Sequence, residues 1–149
     1  MNRDFVEMLA ALSAAGVEFL VVGAYALAAH GLPRATGDID VWVRPTRENA
    51  DRVMQAIRTF GAPLFDLTID DLLRSDTVFQ IGVVPTRIDI LTGISGVVFE
   101  EAWPNRLTVT IDHQAVPVLG LAELIRNKAA TGRPKDQADL VWLRAQIKA

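Results

Sequence analysis

The segment from Asp38 to Val43 constrains the fold more than any other part of this sequence. It reads Asp-Ile-Asp-Val-Trp-Val, so carboxylates alternate with branched apolar side chains. Because successive side chains of a strand point to opposite faces, the pattern predicts a β-strand with Asp38 and Asp40 side by side. Two adjacent carboxylates repel each other and resist removal from water. Such a strand therefore needs a nearby cation, unless its acidic face is simply a solvated strand edge.

A third acidic residue, Asp89, lies in a comparable apolar pattern, Arg-Ile-Asp-Ile-Leu. Mg²⁺ prefers carboxylate oxygens, and two ions that clamp a phosphoryl displacement commonly use three carboxylates. Asp38, Asp40 and Asp89 are therefore candidate metal ligands and catalytic residues, and two Mg²⁺ ions are the expected cofactor. Taken alone, Asp89 is equally suited to an ion pair with Arg87 or Arg34.

Hydrophobic periodicity and turn residues predict the other elements. Helices are predicted near residues 5–12, 24–30, 46–60, 70–73, 121–131 and 134–147, and further strands near 18–23, 77–82, 87–91, 107–111 and 114–119. This order favours an α+β fold, with a mixed β-sheet flanked by helices. A chain of 149 residues suits a single hydrophobic core. We therefore expect one domain over residues 1–149, with its core at 17–119 and C-terminal helices at 121–148 packing on it.

Composition narrows the classes of function. The chain has no cysteine, which excludes disulfides and zinc–thiolate sites. Its formal net charge of -3 does not favour tight, non-specific binding to nucleic acid. No apolar run approaches the roughly 18 residues of a membrane span, so we expect a cytoplasmic protein without membrane association. The hydrophobic fraction of 50% favours a surface that a partner protein or a second copy covers.

The order of motifs resembles the nucleotidyltransferase superfamily that includes DNA polymerase beta. The resemblance is carried by Gly23-Ala24, Arg34, Thr36, Asp38-Ile39-Asp40 and Asp89. It is greatest to the compact bacterial branch typified by toxins of abortive-infection and toxin–antitoxin systems. The resemblance implies the nucleotidyltransferase fold, with the three acids as metal ligands. It also implies that backbone N–H groups at the Gly23 turn hold the triphosphate.

The candidate nucleotide-binding residues are Gly23, Ala24, Arg34, Thr36 and Lys128. Ala24 stands where the superfamily often has serine or glycine, so a hydroxyl contact to phosphate is missing. Arg34 is suited to a bidentate phosphate contact or to a structural ion pair. Thr36 is suited to a phosphate contact or to capping its own loop.

Lys128 continues the inward apolar stripe of the helix that begins at Leu121. Its side chain is expected to reach either the rim of the domain or a polar cleft, where the metal-binding strand would be the source of negative charge. Asp136 and Asp139 follow on the next helix. For these two acids we expect stabilisation of the helix end, or an ion pair with a neighbouring basic residue.

The expected activity is Mg²⁺-dependent transfer of a nucleoside monophosphate from an NTP to a hydroxyl acceptor, with release of pyrophosphate. The acceptor is expected to be RNA (tRNA in particular), a protein or a small molecule. The resemblance adds a role as the toxin of a toxin–antitoxin system, with an antitoxin or a second copy as partner. The alternative is a catalytically weak or inactive module that binds nucleotide or a partner protein, which Ala24 favours.

Overall fold

The computed structural model describes residues 1–148 and contains one mixed β-sheet of six strands. The strands are β1 (Phe19–Val22), β2 (Asp38–Val43), β3 (Val78–Ile81), β4 (Arg87–Leu91), β5 (Leu107–Ile111) and β6 (Gln114–Val118). Their order across the sheet is β3-β4-β2-β1-β6-β5. The pairs β2–β4 and β1–β6 are parallel, and the other three pairs are antiparallel.

Helices flank this sheet. They are α1 (Arg3–Ala14), α2 (Gly23–Ala29), α3 (Arg47–Phe60), α4 (Ile69–Leu73), α5 (Phe99–Ala102), α6 (Leu121–Thr131) and α7 (Pro134–Lys148), with a 3₁₀ turn at Trp103–Asn105. Helix α1 packs against α3, and α6 packs against α7. The predicted α+β fold with a mixed sheet in one domain is confirmed. Within residues 1–148, no helix has both the length and the apolar character that crossing a bilayer requires.

The central position of β2 explains its sequence. Ile39, Val41 and Val43 are almost completely buried, as the alternating pattern predicts. Trp42, on the other face, is also buried and packs edge-on against Phe99 with ring centroids 5.0 Å apart. Core packing therefore holds β2 on both faces along most of its length. Only its first residues, where the acids stand, face polar surroundings.

Candidate metal and nucleotide site

The register of two parallel strands brings the three predicted metal ligands together. In the β2–β4 pair, Asp38 lies beside Arg87 and Asp40 beside Asp89. One carboxylate oxygen of each acid lies within 4.8 Å of the others. The convergence expected from the strand patterns is thus present, and we call Asp38, Asp40, Asp89 and Arg87 the acidic cluster.

Arg87 is the one cation that belongs to this cluster among the described residues. Its Nε donates to Asp89 Oδ1 at 3.0 Å, and its Nη2 donates to Asp89 Oδ2 at 3.3 Å. The same Nη2 donates to Asp38 Oδ2 at 2.9 Å. The sequence indicated a pair between Arg87 and Asp89, but the bridge to Asp38 depends on the register of β2 against β4.

The three carboxyl groups differ in electrostatic environment. Burial raises the pKa of Asp40 to about 7, helped by the negative charges of Asp38 and Asp89. Burial also raises the pKa of Asp89, against the opposing hydrogen bonds from Arg87. For Asp38 burial acts in the same direction, but hydrogen bonds from Thr36 and Arg87 leave its pKa below the ordinary value. Asp40 is therefore the carboxyl that a bound cation would relieve most.

Gly23 allows the backbone to pass close to the carboxylate of Asp40. It begins α2 directly after β1 and has a φ of +68°, a conformation that side chains rarely adopt. A Cβ atom added at this position would collide with the carboxylate of Asp40. Both the backbone and the available space therefore require glycine here, beside the candidate metal ligands.

A cleft of about 340 Å³ opens beside the acidic cluster. It is lined by all five candidate nucleotide-binding residues, by Asp38 and Asp40, and by Leu27, Ala35, Arg133, Lys135 and Asp139. The structure thus brings Gly23, Ala24, Arg34, Thr36 and Lys128 to one surface. Arg133, Lys135 and Asp139, on the last helix and the turn before it, also line this cleft.

Lys128 points into the body of the domain, as its place in the helix stripe predicts, and is 6% exposed. Its Nζ lies 3.1 Å from Asp136 Oδ1 and 3.6 Å from Asp139 Oδ2. Both aspartates are completely buried. The negative charge that Lys128 contacts therefore comes from α7, which corrects the expectation that it would come from the metal-binding strand.

Two arginines also pair with the aspartates that contact Lys128. Arg133 Nε donates to Asp136 Oδ2 at 2.7 Å, and the guanidinium of Arg34 donates to Asp139 Oδ1. Burial alone would raise the pKa of Asp136, but hydrogen bonds from Arg133, Thr131 and Lys128 hold it well below its usual range. The predicted pairing of Asp136 with a neighbouring basic residue is seen with Arg133. We call Lys128, Asp136, Asp139, Arg34 and Arg133 the lysine network.

Thr36 closes the loop that leads into β2. Its Oγ1 donates to Asp38 Oδ1 at 2.8 Å, and it also accepts from the Asp38 backbone N–H at 3.3 Å. The local capping role weighed for this threonine is therefore present. Its hydroxyl also lies 3.1 Å from the Asp38 carbonyl oxygen, so both acceptors within its reach belong to Asp38.

No protein-family model matches the sequence, and no curated protein matches it. Among solved structures, the fold is similar to that of TM1012 from Thermotoga maritima, a proposed nucleotidyltransferase whose crystal structure was determined at 1.87 Å resolution. The likeness has a TM-score of 0.62 and covers 96% of this chain and 92% of the other, with 18% sequence identity. The topology is therefore shared even though few residues are. This chain has the nucleotidyltransferase fold that its motifs predicted.

Proposed function

We propose that this protein transfers a nucleoside monophosphate from an NTP to a hydroxyl acceptor and releases pyrophosphate, with Mg²⁺ as cofactor. The observation that carries the proposal is the convergence of Asp38, Asp40 and Asp89 beside one cleft of this fold. In the reaction, the acceptor oxygen forms a bond to the α-phosphorus as the bond to the β-phosphate oxygen breaks. No covalent protein nucleophile is required, because positioning and charge neutralisation supply the catalysis.

The acidic cluster suits a hard divalent cation. Its three carboxylates provide only oxygen ligands, and their charge exceeds what Arg87 offsets. Asp38, Asp40 and Asp89 would hold the metal, and two ions are proposed. When bound, Mg²⁺ ions would stabilise the charge that develops on the phosphoryl oxygens and the leaving group.

The nucleotide would lie in the cleft with its phosphates near Gly23, Ala24 and Arg34. Arg34 is the strongest candidate for a phosphate contact, because its side chain is 39% exposed although it pairs with Asp139. Lys128 remains a candidate, with its ammonium already bound to two carboxylates. Thr36 is a weaker candidate, since its hydroxyl donates to Asp38.

For the acceptor we propose a hydroxyl of RNA, with tRNA first, and a protein or small-molecule hydroxyl as the other classes to test. The basic side chains that line the cleft, Arg34, Lys128, Arg133 and Lys135, favour a polyanionic acceptor. The net charge of -3 acts against it at long range. A role as the toxin of a toxin–antitoxin system, with an antitoxin or second copy as partner, is part of the proposal and rests on the resemblance of the motifs.

A second candidate function is a nucleotide-binding or partner-binding module with weak or no turnover. Ala24 favours it, because this cleft residue offers no hydroxyl to a phosphate. The complete set of three acids favours catalysis instead.

The deciding experiment incubates the full chain with α-labelled NTPs, Mg²⁺ and either total cell RNA, total cell protein or small hydroxyl compounds. We expect label transfer that falls by roughly 100-fold or more in Asp40→Asn, since a metal ligand is lost. Glu48→Gln, an exposed change on α3, is the matched control and should transfer label normally. Calorimetric titration with NTP and Mg²⁺ separates the two functions: binding without transfer to any acceptor supports the module. Absence of both would contradict the proposal.

A further inference from the structure

We infer that Arg87 is a positioning residue for the metal site. It stays bound to Asp38 and Asp89 while a divalent cation binds, and it holds the carboxylates of both acids in place. The inference rests on the proposed metal-dependent function. Arg87 would touch neither the nucleotide nor the acceptor. It would act only through the two acids.

The backbone register sets the position of Arg87. It lies directly beside Asp38 across the parallel β2–β4 pair and two residues before Asp89 on its own strand. Side chains two apart on a strand share a face, so Arg87, Asp38 and Asp89 lie on the same face of the sheet. The guanidinium consequently reaches two carboxylates from different strands without distorting either strand.

The hydrogen bonds fix both carboxylates. Asp89 receives Arg87 Nε on one oxygen at 3.0 Å and Nη2 on the other at 3.3 Å. Asp38 receives Arg87 Nη2 on Oδ2 at 2.9 Å and Thr36 Oγ1 on Oδ1 at 2.8 Å. An ionised carboxylate has about four acceptor positions, so each group keeps free positions for a metal. The hydrogen bonds nevertheless restrict the rotation of both carboxylates.

The cleft lies against Asp38 and Asp40, while the Arg87 side chain, 30% exposed, reaches solvent outside it. Asp38 and Asp40 line the cleft, whereas Arg87 and Asp89 are not among its lining residues. Among the described hydrogen bonds, Arg87 donates none to Asp40. A cation that enters through the cleft therefore meets Asp40 and Asp38 first, and it need not displace the guanidinium.

The competing explanation is that Arg87 only supplies positive charge in the absence of metal and leaves when a cation binds. Charge and geometry can be separated, because lysine supplies the same charge without the planar fork that holds two carboxylates. Loss of an outer partner of a metal ligand typically weakens metal affinity by 10–100-fold. Loss of a neighbouring positive charge alone would instead strengthen cation binding.

The test measures Mn²⁺ binding to the full chain by electron paramagnetic resonance, with Arg87→Lys and Arg87→Gln beside the unchanged protein. We expect both variants to bind Mn²⁺ about 10–100-fold more weakly. Arg47→Gln is the matched control, since Arg47 is 70% exposed and its one ion pair within residues 1–148 is with surface Asp70 at 3.5 Å. It should bind Mn²⁺ normally. If Arg87→Gln does not fold, Arg87→Lys decides alone.

A second readout follows the Arg87 Nε–H resonance by NMR, assigned by its absence in Arg87→Lys, during titration with Mg²⁺. The positioning role requires the resonance to keep its hydrogen-bonded character at saturation. Loss of that character, normal affinity in Arg87→Lys, or tighter Mn²⁺ binding in Arg87→Gln would each overturn the inference while leaving the proposed function intact. An unchanged protein that binds no Mn²⁺ would overturn both.

Discussion

Two groups of charged side chains stand beside the same cleft, and they compensate buried charge in opposite ways. In the lysine network, two fully buried aspartates meet three basic side chains, and the pKa of Asp136 lies well below its usual range. In the acidic cluster, three carboxylates share one arginine, and burial and mutual repulsion raise the pKa of Asp40 to about 7. In the first group the basic side chains balance the charge of both aspartates, although Asp139 Oδ2 has only the 3.6 Å ion pair with Lys128 and no hydrogen bond. The second carries surplus negative charge, which is the property expected of a cation-binding site.

The largest expected effect comes from breaking the lysine network with Lys128→Ala. This change removes one partner from two buried carboxylates, and such losses are strongly destabilising. We expect the free energy of unfolding to fall by about 3 kcal/mol, the lower end of the usual range, because Arg133 and Arg34 still pair with the acids. Urea denaturation at pH 7 measures it.

Lys135→Ala is the control for this variant, since Lys135 also lines the cleft but is exposed. Its effect on stability should stay within about 0.5 kcal/mol. The NTP affinity of folded Lys128→Ala tests the predicted phosphate contact, whose loss would weaken binding by roughly 1.5–3 kcal/mol. An unchanged affinity would leave Lys128 with a structural role alone.

The next effect has the opposite sign. Because the pKa of Asp40 is raised to about 7 in the folded protein, the native state retains this proton more tightly than the unfolded chain does. The contribution of Asp40 to the free energy of unfolding is therefore fully present below about pH 4. It declines as the pH rises to about 7. Asp40→Asn removes the decline and should stabilise the metal-free protein by about 2 kcal/mol at pH 8, with a smaller gain at pH 5.

Melting temperatures at the two pH values, in the presence of a chelator, check this prediction. Asp51→Asn, an exposed change on α3, is the control and should show no such difference. Added Mg²⁺ should raise the melting temperature of the unchanged protein and not that of Asp40→Asn, because a ligand stabilises only the state that binds it. An Asp40→Asn protein that melts lower at pH 8 would show that Asp40 is a structural partner.

The smallest effect is expected from Thr36→Val. This variant removes the 2.8 Å hydrogen bond to Asp38 Oδ1, but the Asp38 side chain is 25% exposed and water can replace the donor. We expect a loss of about 0.5–1 kcal/mol in stability. The pKa of Asp38 should rise, because one of the groups that lower it is gone. Carbon-13 NMR titration of the Asp38 carboxyl measures the change, and a fixed pKa would contradict the assignment.

Local patterns predicted the parts of the site that depend on local geometry. The alternation in β2 predicted that Asp38 and Asp40 share a face, since the period of a strand is fixed at two residues. The helical stripe on α6 predicted that Lys128 points inward. The short helix Phe99–Ala102 and the 3₁₀ turn after it were missed, because a few residues show no measurable period.

Local patterns could not predict contacts between residues that are far apart in the sequence. The bridge from Arg87 to Asp38 requires β4 to lie parallel to β2 in one register, and many registers are compatible with the two strand sequences. Asp136 fitted a role at a helix end, because helix-dipole reasoning considers only its own helix. Its bond to Lys128 becomes visible only once α7 is packed against α6.

The contact between Arg34 and Asp139 also leads to an expectation about the order of folding. It joins residues 105 positions apart, whereas the bond from Arg87 to Asp38 spans 49. Closing a longer loop costs more chain entropy before any contact forms, so widely separated contacts tend to be slow. We expect the acidic strands to pair before α7 docks and completes the cleft.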